Sequence, residues 1–394
     1  MTLRRTATIL GLVALLAALA ACAPAPTRTW TRLGDGTARS AALGLSPASQ
    51  GLGSWTELAP ALERSLGYVR VKPQDAVVVR QDELALTWGD LGRTLETLLA
   101  SLPELDADPG LLARRFVWLR LGPQPLMTGY YAPHLDASPV ADERHIHPLY
   151  ARPPELQEVD LGQFHPRWAG QRLTYRIVDG RVAPLPARAA IDQGGALAGR
   201  GLELAWVHDP VDVFFLHIQG SGILRLPDGS VRHVLYDGKN GHQYVSLGKV
   251  LIERGLAPAQ GMSMKVIREY LAAHPEQVPE LLGTNPSYVF FRLGDSGPYG
   301  AMGKLLTPRV SVATDPGLVP LGAVLALEAT LPPEAPGGPA LRVAGLALAQ
   351  DTGGAIKGHR LDYYCGDGPE VEFLAGHIKD PATVHLLVSR EVLP

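Results

Sequence analysis

The chain of 394 residues is 46% apolar and 19% charged, enough for two well-cored domains and incompatible with a disordered or fibrous protein. A formal charge of −3 lacks the clustered basic excess that phosphate backbones demand, which excludes nucleic acid as a general partner. The 43 glycines and 34 prolines favour many short strands joined by turns.

Residues 1–21 have the layout of an export signal: basic Arg4 and Arg5, an apolar stretch from Ile9 to Leu19, and small residues before Cys22. The stretch is short for a membrane span. Leu19-Ala20-Ala21-Cys22 resembles a bacterial lipobox, whose cysteine is acylated, and the absence of Asp after it points to an outer-membrane lipoprotein facing the periplasm. An ordinary cleaved signal peptide is the competing reading. Residues 22–54, rich in Ala, Pro, Thr, Ser and Gly, read as a flexible tether.

Residues 82–102 carry leucines at helical spacing, Leu84, Leu86, Leu91, Leu95, Leu98 and Leu99, and residues 111–121 read as a helix running into a strand. Residues 126–133 read as a strand leading to a domain crossing. There Thr128, Tyr130 and Tyr131 are either a sugar-stacking surface or a strand with one ring in and one out.

Short candidate strands follow at 172–177, 211–218, 223–226 and 231–236, which suggests a small barrel or sandwich. Gln219 and Ser221, set between glycines, suit carbohydrate hydroxyls, with a plain hairpin turn as the alternative. Lys239 and Asn240 lie in a polar glycine loop whose lysine can meet an anion; Walker spacing is absent. Three helical segments are expected at 245–254, after a Ser263 cap, and at 275–282.

Strands then resume at 288–293, with a turn presenting Tyr299, and at 306–315, 319–327 and 384–388; six or so short strands fit a closed barrel. The apolar run 346–349 ends in Asp351, followed by Gly353 and Gly354 and, eleven positions on, Asp362. The paired glycines permit close backbone approach, and the short loop keeps both aspartates at one rim. The stretch is either a paired-carboxyl site or a glycine-rich turn with two solvated aspartates. Cys365 reads as a small buried filler, since no Cys-His-Asn arrangement lies near it. The 12 histidines lack His-x-x-x-His spacing, so neither metal nor cofactor is expected.

Five segments together resemble the membrane-bound lytic murein transglycosylase A family of Gram-negative lipoproteins. They are Thr128-Gly129-Tyr130-Tyr131, Ile218-Gln219-Gly220-Ser221-Gly222, Gly238-Lys239-Asn240-Gly241-His242 with Gly248-Lys249-Val250-Leu251-Ile252, Val289-Phe290-Phe291, and Asp351 to Asp362 around Gly353-Gly354-Ala355-Ile356-Lys357-Gly358. The resemblance runs from about Arg120 to the C-terminus.

It implies a mainly β fold with helices. A double-psi (barwin-like) β-barrel domain, 55–132 with 285–394, would carry an inserted, smaller β-barrel domain, 133–284, and a glycan strand of peptidoglycan would lie in the groove between them. Asp362 matches the family's acid/base, with Asp351 near it. Thr128, Tyr130, Tyr131, Gln219, Ser221, Lys239, Asn240, Tyr299 and Lys357 are the expected substrate-binding residues. His359-Arg360-Leu361 departs from the proline or glutamine pair often found before the catalytic segment, which changes the local charge.

The implied reaction cuts the β-1,4 bond between N-acetylmuramic acid and N-acetylglucosamine. One carboxyl suffices because the nucleophile, the muramyl C6 hydroxyl, is already attached, and such intramolecular delivery is worth roughly 7–11 kcal/mol. Asp351 is either a like charge that keeps Asp362 protonated or a structural acceptor for the Gly353 and Gly354 amides; Asp315 and Lys357 stand near the pair or are solvated turn residues. The rival readings are a hydrolase using the Asp351/Asp362 pair and a non-catalytic wall-binding lipoprotein. Expected partners are peptidoglycan, the membrane through the lipid anchor, and complexes of cell-wall synthesis or degradation.

Overall fold

The computed structural model describes residues 29–81, 83–168 and 171–393. The expected signal peptide, the lipidation site Cys22 and the first residues of the expected tether lie outside these.

From residue 29 onward the expected tether is folded. Strand β1 (Trp30–Arg32) and helix α1 (Asp35–Gly44) lead into a tight turn (Pro47–Gln50). Trp30, Ala38, Ala42 and Leu45 are buried, and Gln50 is 3% exposed. The Gln50 side chain imitates a neighbouring strand: its Nε2 donates to the Leu346 carbonyl at 2.9 Å and its Oε1 accepts from the Leu346 amide at 3.0 Å. The small residues that resemble a linker are the ones that let α1 pack closely.

Helix α2 (Ala59–Arg70) follows, then a hairpin of β2 (Val77–Gln81) and β3 (Leu84–Thr87), helix α3 (Trp88–Leu105), the short α4 (Leu111–Arg115) and β4 (Phe116–Leu121). The helix expected from residue 82 therefore starts at Trp88. Leu84 and Leu86 alternate with exposed Ala85 as a strand, and Thr87 opens the helix through a capping box: its hydroxyl accepts from the Asp90 amide while Asp90 accepts from the Thr87 amide at 2.8 Å.

Strand β5 (Leu126–Ala132) ends at the domain crossing. Beyond it come β6 (His134–Ser138), β7 (His147–Tyr150), β8 (Gln157–Asp160), β9 (Arg172–Val178), β10 (Arg181–Ala183), α5 (Arg188–Asp192), β11 (Glu203–Val207), α6 (Pro210–Gln219), β12 (Gly222–Arg225) and β13 (Val231–Lys239). Helices α7 (Leu247–Glu253), α8 (Met264–Ala273) and α9 (Val278–Gly283) precede β14 (Val289–Gly294). Six of these strands form one sheet in the order β14-β13-β12-β6-β11-β7, and a bridge between Ala151 and Phe291 joins its two edges.

Two expectations are corrected here. The inserted domain runs to Gly294 and not to residue 284, because β14 pairs with β13 along its length; a strand's pattern does not say which sheet receives it. Residues 211–218, expected as a strand, are helix α6. Asp209 caps it by accepting from the Val211 amide at 2.8 Å, Pro210 occupies the first turn, and Gly220 at φ +83° ends it. A helix apolar on every side has no period to distinguish it from a buried strand.

The chain returns as β15 (Ser311–Ala313), β16 (Val324–Leu331), β17 (Leu341–Asp351), β18 (Arg360–Asp367), α10 (Pro369–His377) and β19 (Lys379–Ser389). The strands β5-β18-β15-β17-β16-β19 close on themselves through pairing of β19 with β5, and β4 and β1 extend the sheet from β19. This six-stranded ring, with parallel pairs β18–β5 and β15–β17, is the expected double-psi barrel. Its buried residues Met127, Val312, Leu346, Leu361, Tyr363 and Leu386 belong to the same core as buried residues of α2 and α3.

Candidate active site

The barrel's register assembles the site. Ala313 of β15 pairs with Asp351 of β17 on one side and with Asp362 of β18 on the other, and Asp362 pairs in turn with Thr128 of β5. Residues directly opposite on neighbouring strands share a face. Four strands thus set Asp351, Ala313, Asp362 and Thr128 in a row. With strands about 4.8 Å apart the two aspartate backbones stand roughly 10 Å from each other, with an alanine methyl between them.

The register slips at Gln350, so that Ala349 pairs with Val312 but Asp351 pairs with Ala313. The bulged Gln350 is buried and donates to the Ala61 carbonyl at 2.9 Å and to Ser65 Oγ at 2.8 Å, while accepting from Ser311 Oγ at 2.5 Å. Helix α2 thereby fixes the strand end that carries Asp351.

The two aspartates are held differently. Asp351 uses both oxygens: Oδ1 accepts from the Ala301 and Thr352 amides, each at 2.8 Å, and Oδ2 from the Tyr130 hydroxyl at 2.9 Å. The expected donors, the Gly353 and Gly354 amides, are not the ones used. Gly300 lets the Ala301 amide approach, since a Cβ there would lie 2.5 Å from the Gln350 carbonyl. Asp362 accepts one hydrogen bond, from Thr128 Oγ1 to Oδ1 at 2.6 Å; among the described residues no donor reaches Oδ2.

Both aspartates are half-buried: protein surrounds them on most sides while part of each stays open. Burial pushes the Asp362 carboxyl above the usual range, against the pull of the Thr128 hydrogen bond and the Arg360 charge. Burial likewise pushes Asp351 up to about 6, opposed by bonds from Thr352, Tyr130 and Ala301 and assisted by the charge of Asp362. Burial is the largest influence on each aspartate.

Other expected site residues scatter. Tyr130 is buried against Leu306, Ala313, Ile356 and Tyr364, its ring 5.2 Å from that of Tyr364, so it supports Asp351 and offers no stacking face. Tyr131 is buried, and its amide donates to Gln219 Oε1 at 3.1 Å. Gln219 therefore ties the end of α6 to β5 at the crossing. Asn240 is 1% exposed and wholly engaged, donating to the carbonyls of Pro186 and Pro286 and accepting from the Tyr288 and His242 amides. It is a framework residue, which corrects its reading as a substrate contact. Ser221 is half-buried beside the crossing, and Lys239 is exposed at the end of β13.

Tyr299 is half-buried with its hydroxyl 2.7 Å from Ser296 Oγ. Lys357 is exposed on the glycine loop, which Asp315 anchors by accepting from the Gly358 amide at 2.8 Å. Cys365 is buried and its thiol pushed up by burial, in keeping with a filler. One participant escaped the motif reading. Arg360 donates through Nε and Nη2 to Thr128 Oγ1, each at 3.3 Å, and so completes a chain from guanidinium to hydroxyl to the Asp362 carboxyl. Its signal was the departure at 359–361.

Residues 126–292 match the family model "MltA specific insert domain" and residues 310–388 the model "3D domain". A membrane-bound lytic murein transglycosylase A of Vibrio cholerae is 42% identical over 197 residues, 49% of this chain and 53% of the relative. The crystal structure of a membrane-bound lytic murein transglycosylase from Agrobacterium tumefaciens superposes with a TM-score of 0.77 at 30% identity, covering 92% of this chain and 98% of that one.

The chain belongs to the membrane-bound lytic murein transglycosylase A family.

The transglycosylase A insert model ends at residue 292, inside β14, in agreement with the domain boundary seen in the fold. The second model spans the barrel strands β15 to β19 that carry Asp351 and Asp362. A further member, from Escherichia coli, has a crystal structure with bound chitohexaose that matches at a TM-score of 0.65 and 28% identity, over 84% of this chain and 90% of that one. The matched stretch spans about half the length of the Vibrio relative.

Proposed function

We propose that this protein is a peptidoglycan lytic transglycosylase in which Asp362 alone serves as acid and base. The supporting observation is the asymmetry of the pair: Thr128 steadies one oxygen of Asp362 and the other has no donor among the described residues, whereas Asp351 is engaged at both oxygens. Burial keeps Asp362 protonated closer to neutral pH, as a general acid requires. It gives its proton to the oxygen bridging N-acetylmuramic acid to N-acetylglucosamine, and that bond breaks as the muramyl C1 gains oxocarbenium character. The resulting carboxylate takes the proton of the muramyl C6 hydroxyl, whose oxygen bonds to C1 to close a 1,6-anhydro ring. No water is consumed, and Asp362 ends as it began.

Asp351, bonded to Tyr130, Ala301 and Thr352, suits anchoring the loop and not activating water, which disfavours the two-carboxylate hydrolase. The bound chitohexaose of the Escherichia coli relative supports a β-linked glycan in the cleft. The relatives' name and the lipobox at Cys22 support membrane association, as an outer-membrane lipoprotein facing the periplasm.

The test is digestion of purified sacculi by the protein and its Asp362→Asn variant. The variant should fold and bind sacculi while releasing soluble fragments at least about 100-fold more slowly. Activity retained within a few-fold would overturn the assignment.

A further inference from the structure

Arg360, like the half-buried Arg64 and Arg176, forms no ion pair among the described residues. Arg64 meets the Thr307 hydroxyl and Arg176 the Pro184 carbonyl, whereas Arg360 bonds Thr128, the residue that holds Asp362. Arg268, Arg309 and Arg390 are also half-buried, and each meets a carboxylate: Asp212, Glu334 and Asp35 respectively. Arg360, half-buried two residues before Asp362, meets the Thr128 hydroxyl at 3.3 Å and the Ala355 carbonyl at 3.5 Å, and among the described residues it forms no ion pair. A guanidinium has five N–H donors. Those contacts engage Nε, Nη1 and Nη2 once each, which leaves one further N–H on each terminal nitrogen, the fork that grips a carboxylate.

The placement also works against the reaction. The Arg360 charge favours ionised Asp362, whereas bond cleavage starts from the protonated form. An anion brought by the substrate would cancel that influence when it matters.

We propose that Arg360 is a specificity residue that pairs with a carboxylate of the glycan substrate beside the scissile bond, so that strands carrying that carboxylate are bound and cut in preference to neutral ones. This rests on the function proposed above. Two sources share the chemistry: the lactyl carboxylate of a muramyl residue without a peptide, and a carboxylate of the stem peptide.

The experiment compares the full chain with its Arg360→Gln and Arg360→Lys variants on three defined strands of equal length: free lactyl carboxylate, lactyl methylamide, and stem peptide attached. If the lactyl group is the partner, Arg360→Gln lowers the ratio of kcat/KM on the free-carboxylate strand to that on the methylamide about 10- to 100-fold, whatever its common effect through Asp362, with Lys intermediate. If the loss is confined to the peptide-bearing strand, the stem supplies the carboxylate. Equal losses on all three strands, or none, overturn the proposal and leave the lytic reaction standing. Affinities measured in the Asp362→Asn background read the same coupling without turnover. That arm decides the proposal even if the wild-type protein releases no anhydro product, a result that would refute the function itself.

Discussion

At the scale of single residues, the site depends on which hydrogen bonds each carboxyl has already made. Asp362 carries one, from Thr128, and that bond stabilises the ionised form while burial opposes it. Replacing Thr128 by Val removes the pull toward ionisation and keeps the shape. The Asp362 carboxyl should then hold its proton to higher pH, so the alkaline limb of the kcat/KM profile on glycan strands should move upward; an unmoved or lowered limb would contradict the coupling. The nearness of Asp351 to Asp362 was legible in the sequence because only the short glycine loop 352–359 joins the strand ending at Asp351 to the one carrying Asp362. The role of Asn240 was not. A polar residue between glycines has the same pattern whether its partners are sugar hydroxyls or, as here, the carbonyls of Pro186 and Pro286. Gln219 has a framework contact too, its Oε1 accepting from the Tyr131 amide.

At the scale of elements, the row of functional positions follows from strand register, and the register is fixed from outside the barrel. Gln50 pairs with both backbone groups of Leu346 on β17, and Gln350, three positions before the glycine pair, locks the same strand to α2. Gln50→Ala should therefore cost about 1–3 kcal/mol, read as a lower urea midpoint with an unchanged slope, because it strands buried backbone groups. A tether residue would change nothing. Sequence patterns located most barrel strands and the helices after Ser246, where period and caps agree. They failed for residues 29–54, whose small residues suit both a linker and a tightly packed helix, and for α6, whose apolar run carries no period. The hairpin at Leu84 was hidden because leucines at alternate positions also fall within a helical stripe.

At the scale of the whole molecule, the chain passes between two β-rich bodies at the crossing between β5 and β6. Each hides a histidine with a lowered pKa. His385, beside Trp118 in the larger barrel, is held at about 4 by burial and by Arg120, and His217, enclosed by Tyr288 and Phe291 in the insert, is held well below its usual value by burial and by Arg188. A base whose folded pKa lies below its unfolded value contributes stability above about pH 6.5 and loses it as the pH falls toward about 4, since the unfolded chain takes up the proton first. Asp351 acts with the opposite sign: its folded value of about 6 exceeds the unfolded 3.8, so acidification through that window favours the fold. Urea unfolding at several pH values between 7 and 4.5 should thus show His385→Asn losing less stability on acidification than the wild-type protein, and Asp351→Asn losing more. Parallel curves for all three would refute the buried-charge account.

The central claim is that the muramyl C6 hydroxyl, and not water, takes the place of the departing sugar at Asp362. Digestion of sacculi in oxygen-18-labelled water, followed by mass spectrometry of the released fragments, tests it directly. The account predicts unlabelled muramyl ends, each one water lighter than a hydrolysed end. Labelled ends of full hydrated mass would contradict it.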